Sequence, residues 1–178
     1  MVAFVGIGDL HLSSSPKKEE HDAYVFQLVR QCLVFAKEQG IKHILLYGDV
    51  DDKPYLSRSA MRTLLRLFRS PFTFHIILGN HDKEAEDSAA GHSLMPIVDL
   101  IKANKLPNVH VYEEDTNVVI EGAKIRFMPW PSVAFKPNCL NVAHVTVSGT
   151  RYKSVVVNKG YDGDCLAVIG HEHDCQRI

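Results

Sequence analysis

Apolar residues along the chain fall into runs of two kinds. Val2 to Gly8, Ile41 to Tyr47 and Phe72 to Leu78 are short continuous runs and read as buried strands. Between the first two, His21 to Gln39 has helical spacing. Val25, Val29, Cys32 and Ala36 share one face, Phe26 and Leu33 lie beside it, and Gly40 ends it. Ser57 is placed to cap a second helix running to about Arg69, with Met61, Leu64, Leu65 and Phe68 facing the core. A third helix is expected from Ser93 to Ala103. The pattern then changes. Val109 to Glu113, Asn117 to Glu121, Lys124 to Met128, Leu140 to Val147 and Leu166 to Ile169 read as short strands, the second and third joined by a tight turn at Glu121-Gly122. The first half is therefore strand–helix–strand with parallel pairing expected, and the second half is mostly strand. The fold class is α/β.

Composition narrows this modestly. The 178 residues, 46% apolar and 23% charged, suit one soluble domain spanning 1–178 with a real core. A formal net charge of -1 gives no case for polyanion binding on overall charge, so such contact must come from a local patch or bound metal. Cys32, Cys139, Cys165 and Cys175 form no CxxC pair and are expected to be reduced thiols of a cytoplasmic protein. Neither a signal peptide nor a membrane span is expected.

Five polar segments each follow a predicted strand, where open α/β sheets place their ligands. They are Gly8-Asp9-Leu10-His11, Gly48-Asp49, Gly79-Asn80-His81-Asp82, Ala143-His144 and Gly170-His171-Glu172-His173. In extended chain, residues i and i+2 point to one side, roughly 7 Å apart, so Asp9 should face with His11, and His171 with His173. Glu172 should point away. Carboxylate, imidazole and amide oxygen together suit a hard or borderline divalent ion such as manganese, and the lack of cysteine argues against structural zinc. One such segment alone means little. Five in order at strand ends are hard to explain as turn chemistry.

These segments resemble the five signature motifs of the calcineurin-like metallophosphoesterases, in their usual order and over most of the chain. The resemblance implies a layered β-sheet sandwich flanked by helices. Within that family the chain is most similar to the SbcD-type nuclease subunits. Gly48-Asp49-Val50-Asp51-Asp52, Phe127-Met128-Pro129-Trp130 and the run from His171 to Ile178 carry that likeness. It implies one metal held by Asp9, His11, Asp49 and His173, and another by Asp49, Asn80, His144 and His171, with Asp49 bridging. Manganese is the expected ion, with magnesium, iron or zinc as alternatives. His81 would stand over the phosphate without binding metal, and Asp52 and Asp82 would orient neighbouring histidines. DNA is the implied substrate and an SMC-like ATPase the implied partner. A homodimer through the helix at 57–69 is a further expectation. The sequence departs from that branch at Asp51, where an aromatic residue is usual, and in the short span from Trp130 to His144. The cap and ATPase-binding regions are expected to be absent.

His21, His43, His75, His92 and His110 lie outside the motifs and read as surface or strand-flanking histidines with local partners. Arg58, Arg62, Arg66 and Arg69 read as a solvated helix face whose stems cover apolar surface, with a phosphate track as the alternative. Two other functions compete with a DNA nuclease. One is a stand-alone phosphodiesterase or phosphatase acting on a nucleotide or phosphoprotein. The other is an inactive scaffold, against which the full ligand set argues.

Overall fold

The computed structural model describes residues 4–13, 17–84, 91–146, 151–152, 155–156 and 166–171. Its first half is strand–helix–strand. β1 (Phe4–Ile7), α1 (Lys18–Glu38), β2 (His43–Tyr47), α2 (Arg58–Phe68), β3 (Thr73–Ile77), α3 (Met95–Lys102) and β4 (Val109–Tyr112) build a four-stranded sheet in the order β1-β2-β3-β4, every pair parallel. β4 thus belongs to the first sheet, where the sequence pattern grouped it with the later strands. It follows a helix as the others do, and that connection makes a parallel pairing.

The second sheet is mixed. β5 (Thr116–Ile120) and β6 (Ala123–Met128) are antiparallel, and β7 (Leu140–His144) and β10 (Ala167–Gly170) run parallel to β6 in the order β10-β7-β6-β5. The β5–β6 turn has φ of 47° at Glu121 and 86° at Gly122, the paired positive values of a two-residue hairpin loop. β8 (Arg151–Tyr152) and β9 (Val155–Val156) pair antiparallel as a separate two-stranded sheet.

The period of two along each strand decides the layers. On β2, Ile44 and Leu46 join the core under the helices, while Leu45 and Tyr47 face the second sheet. On β3, Phe74 and Ile76 face the helices and Ile77 the other sheet. The molecule is therefore helices, parallel sheet, mixed sheet. In α2, Ser57 caps as predicted, its hydroxyl accepting the Ala60 amide at 3.0 Å. The helix buries Ala60, Thr63, Leu64, Leu67 and Phe68, with Met61 and Leu65 only partly covered. Truncating Leu64, fully buried, would cost about 2–5 kcal/mol. No large apolar side chain of α2 is exposed, and the Arg66 guanidinium lies 3.9 Å over the Phe26 ring. Among the described residues no helix is long and apolar enough to cross a membrane, and Cys32 and Cys139 are free thiols. Cys165 and Cys175 lie outside the described residues.

Candidate metal centre

The strands of both sheets deliver polar side chains to one place. Asp9 and His11 follow β1, Asp49 and Asp52 follow β2, and Asn80, His81 and Asp82 follow β3. His144 ends β7 and His171 follows β10. The sheets meet here closely: the Tyr47 carbonyl contacts His144 Nδ1 at 3.0 Å, and a Cβ on Gly170 would collide with that same carbonyl. The β1–β2 pairing continues past the strand ends. The His11 amide donates to the Asp49 carbonyl at 2.9 Å, and the Leu12 amide to Val50 at 3.1 Å.

The backbone does not reach the site as extended chain. Asp9, His11, Asp49 and His171 have φ of 53°, 44°, 47° and 88°. Alternation along a strand is thus not what brings Asp9 and His11 together; two left-handed residues curl the chain instead. Such conformations cost free energy at non-glycine residues and persist where surroundings over-determine them. Two glycines make the approach feasible. A Cβ on Gly79 would collide with the Asp49 carboxylate, and one on Gly48 (φ +97°) with the His144 ring.

Asn80 Oδ1 lies 3.0 Å from His144 Nε2 and 2.9 Å from His171 Nδ1. Asp49 Oδ2 lies 3.3 Å from His144 Nε2 and 3.8 Å from His11 Nε2. Asp9 Oδ1 accepts the His171 amide at 3.1 Å, and Asp49 Oδ1 the His81 amide at 3.0 Å. Asp9, His11 and Asp49 form one group of donors within 4.8 Å of one another, and Asp49, His144 and His171 form another. Asp49 is common to both. A cation with bonds of about 2.1 Å separates neighbouring ligands by about 3.0 Å in an octahedral shell. The observed spacings match that, and the oxygen and imidazole donors suit a divalent ion. The residues present therefore fit a metal.

His173 and Glu172 lie outside the described residues, so the predicted facing of His171 with His173 lies there too. His81 stands at the rim, 43% exposed, with Nδ1 3.3 Å from the Asp52 carbonyl and 3.7 Å from its carboxylate. His11 Nδ1 is 3.3 Å from the same carboxylate, so Asp52 sits between two histidines. Asp82 serves differently. Fully buried, it accepts the Val50, Asp51 and Gly79 amides at 3.2, 3.0 and 2.9 Å and the Ser93 hydroxyl at 2.9 Å. It pins the loops that carry Asp49 and Asn80; the histidines are held by other groups.

Burial would raise the Asp49 carboxyl, but its hydrogen bond to His144 and the His81 amide hold it below the ordinary value. Burial would lower His144, and Asp49 raises it instead. Behind them burial pushes Asp51 up to about 7, with Asp82 and Asp22 adding repulsion, and Asp82 is raised by burial as well.

The histidines outside the motifs lie elsewhere or play backbone roles. His21 Nε2 contacts the His11 carbonyl at 3.1 Å, and His92 pairs with Glu113 at 3.0 Å. His43, His75 and His110 gather at the far end of the strands. Sequence reasoning missed Lys83, whose Nζ donates to the Trp130 carbonyl at 2.6 Å, and Ser93. Lys83 follows directly on Asp82, and that adjacency was the available signal.

A profile of the family described as "Calcineurin-like phosphoesterase" matches residues 2–175. The chain is 26% identical over 131 residues to "Exonuclease subunit 1" of Enterobacteria phage T4, covering 71% of this chain and 37% of that protein. It thus spans well under half the length of this curated relative. Solved structures that the chain matches include the nuclease MPE of Pseudomonas putida and a protein of unknown function from Aquifex aeolicus. The first shares 19% identity at a TM-score of 0.41, covering 80% of this chain and 62% of that one. The second shares 15% at 0.38, covering 74% and 62%.

Proposed function

The chain belongs to the calcineurin-like phosphoesterases, metal-dependent hydrolases of phosphate esters, and from that premise we propose that it is a two-metal phosphodiesterase acting on DNA, a nuclease of the SbcD type. The observation that carries the reading is the convergence of Asp9, His11, Asp49, Asn80, His144 and His171 from the strand ends of both sheets. One ion would be held by Asp9, His11, Asp49 and His173, the other by Asp49, Asn80, His144 and His171. Manganese is the proposed ion, and magnesium, iron and zinc are the alternatives. When bound, the pair supplies Lewis acidity to the phosphoryl oxygens and to the attacking water.

His81 is assigned to the leaving group. Its Nδ1 rests on Asp52, which leaves Nε2 to hand a proton to the departing oxygen. Asp82 keeps the Asp49 and Asn80 loops in register through three amides. The phage relative's name supports a nucleic-acid substrate. The finer reading takes 1–178 as one catalytic domain acting in the cytoplasm with an SMC-like ATPase, and self-association through α2.

The test is to assay the purified chain with manganese against labelled single-stranded DNA, blunt duplex, a simple diester chromogen and cyclic nucleotides. DNA hydrolysis that depends on the metal is expected. Cleavage of the cyclic nucleotides alone, with DNA untouched, overturns the nuclease and leaves a stand-alone phosphodiesterase.

A further inference from the structure

Trp130 is the chain's single tryptophan, and the roles assigned so far leave it unused. Its backbone is tied to the segment that carries Asn80 and His81. The Trp130 amide donates to the Leu78 carbonyl at 2.9 Å, and the Trp130 carbonyl accepts from Lys83 Nζ at 2.6 Å. The indole lies 5.5 Å from the His171 ring at a tilt of 33°, and 6.5 Å from the His144 ring, edge on at 78°. It is only partly buried, and none of the three apolar clusters among the described residues includes it. Core packing therefore does not explain a tryptophan here. A large apolar ring has been kept half open to solvent, at fixed distance from the candidate metal ligands.

We propose that Trp130 is a stacking platform for a nucleobase next to the phosphate held at the metal centre. The inference rests on the phosphodiesterase reading and narrows its substrate to nucleotide-type diesters. An indole face accepts any base, because every base offers a π-face and no edge is read. A platform must also be rigid, since freezing a mobile ring would cost some of the affinity gained. The two backbone anchors supply that rigidity. The Lys83 amino group, held by the Trp130 carbonyl, stands on the same wall, where a basic side chain favours an approaching polyanion.

A lone tryptophan makes the site report on itself. The full chain, at fixed magnesium, is titrated with adenosine 5′-monophosphate and with ribose 5-phosphate while tryptophan emission is followed. Saturable quenching by the first and none by the second is expected. Equal quenching by both, or none by either, overturns the proposal. In the second measurement, hydrolysis of a short single strand is compared with the same strand made abasic on both sides of the scissile phosphate. The protein should favour the intact strand by about 5- to 100-fold in kcat/KM, the range base stacking supplies. Trp130→Ala should erase most of that preference through KM, and Trp130→Phe should restore much of it. A Trp130→Ala variant whose kcat falls equally on both strands would mark the ring as a mere support for His171 and sink the idea. If neither strand is cut with any metal, the phosphodiesterase reading fails, and the emission titration still decides the stacking.

Discussion

The two ends of β2 carry histidine clusters of opposite character. At its C-terminal end His144 meets Asp49, Asn80 and His171, and its proton affinity is raised. At its N-terminal end His43 Nδ1 contacts His75 Nε2 at 3.1 Å, and His75 Nδ1 contacts the Tyr112 hydroxyl at 2.9 Å. His75 stacks on His110, Tyr112 and Phe127 at 18°, 6° and 9°. Burial, with His110 and His43 nearby, pushes it down to about 3. Both histidines are buried between the same two sheets. What separates them is a carboxylate. Asp49 raises the proton affinity of the imidazole beside it, whereas burial among aromatic rings lowers that of the other. Histidine count alone therefore does not point to a candidate metal site; the Asp49 carboxylate is what distinguishes His144 from His75.

That contrast can be broken most severely at Asp49. Asp49→Ala should abolish binding of both ions by calorimetry and remove turnover with it. The loss should exceed the about 10- to 100-fold that follows from losing an outer partner of a metal ligand. Retained metal stoichiometry would contradict a shared carboxylate. His81→Ala should keep both ions and lower kcat by about 10²- to 10⁴-fold, the range of general acid catalysis. Near-normal turnover would remove it from the proton transfer. Asp82→Ala should act on the same cluster at one remove. With the Val50, Asp51 and Gly79 amides released, metal affinity should fall by about 10- to 100-fold while His81 chemistry survives at saturating metal. An unchanged metal affinity would show that the loops hold without it.

Much of both clusters was legible in the sequence, for different reasons. The elements followed from period: α2 and its Ser57 cap fell within a residue of expectation because capping and apolar spacing are local signals. The assignment of β4 to the first sheet was not legible, since four residues of strand look alike whichever sheet takes them. At the candidate metal centre the residue types in Asp9, His11, Asp49, Asn80, His144 and His171 announced the cluster. Their delivery was misread, because the left-handed turns at Asp9 and His11 belong to the tertiary fit and not to a strand pattern. Asp82 was placed near the site but given the wrong contacts, as backbone amides leave no trace in residue identity. The His43–His75–Tyr112 chain was read only as histidines with local partners. Once the strands are paired, His43 and Tyr112 each lie two residues out of register with His75, which puts all three on one face.

The smallest effect probes the aromatic end. His75 is neutral in the fold and titrates near 6.5 in the unfolded chain, so below that pH the unfolded state binds a proton that the folded state refuses. A group whose folded value is depressed contributes stability that is present above about 6.5 and is lost progressively as pH falls towards about 3. Between pH 7 and pH 5 the loss from this one side chain is about 2 kcal/mol, from the linkage relation with these two values. His110, also lowered by burial and by His43, acts in the same direction. His75→Phe keeps a ring between Tyr112 and Phe127 while removing the proton site and two hydrogen bonds. Urea unfolding at pH 7 and pH 5 should show the variant losing about 2 kcal/mol less than the parent across that interval, whatever its stability at pH 7. Parallel losses in parent and variant would mean that His75 takes up its proton in the folded state, and that an imidazole there does not need a carboxylate to carry charge.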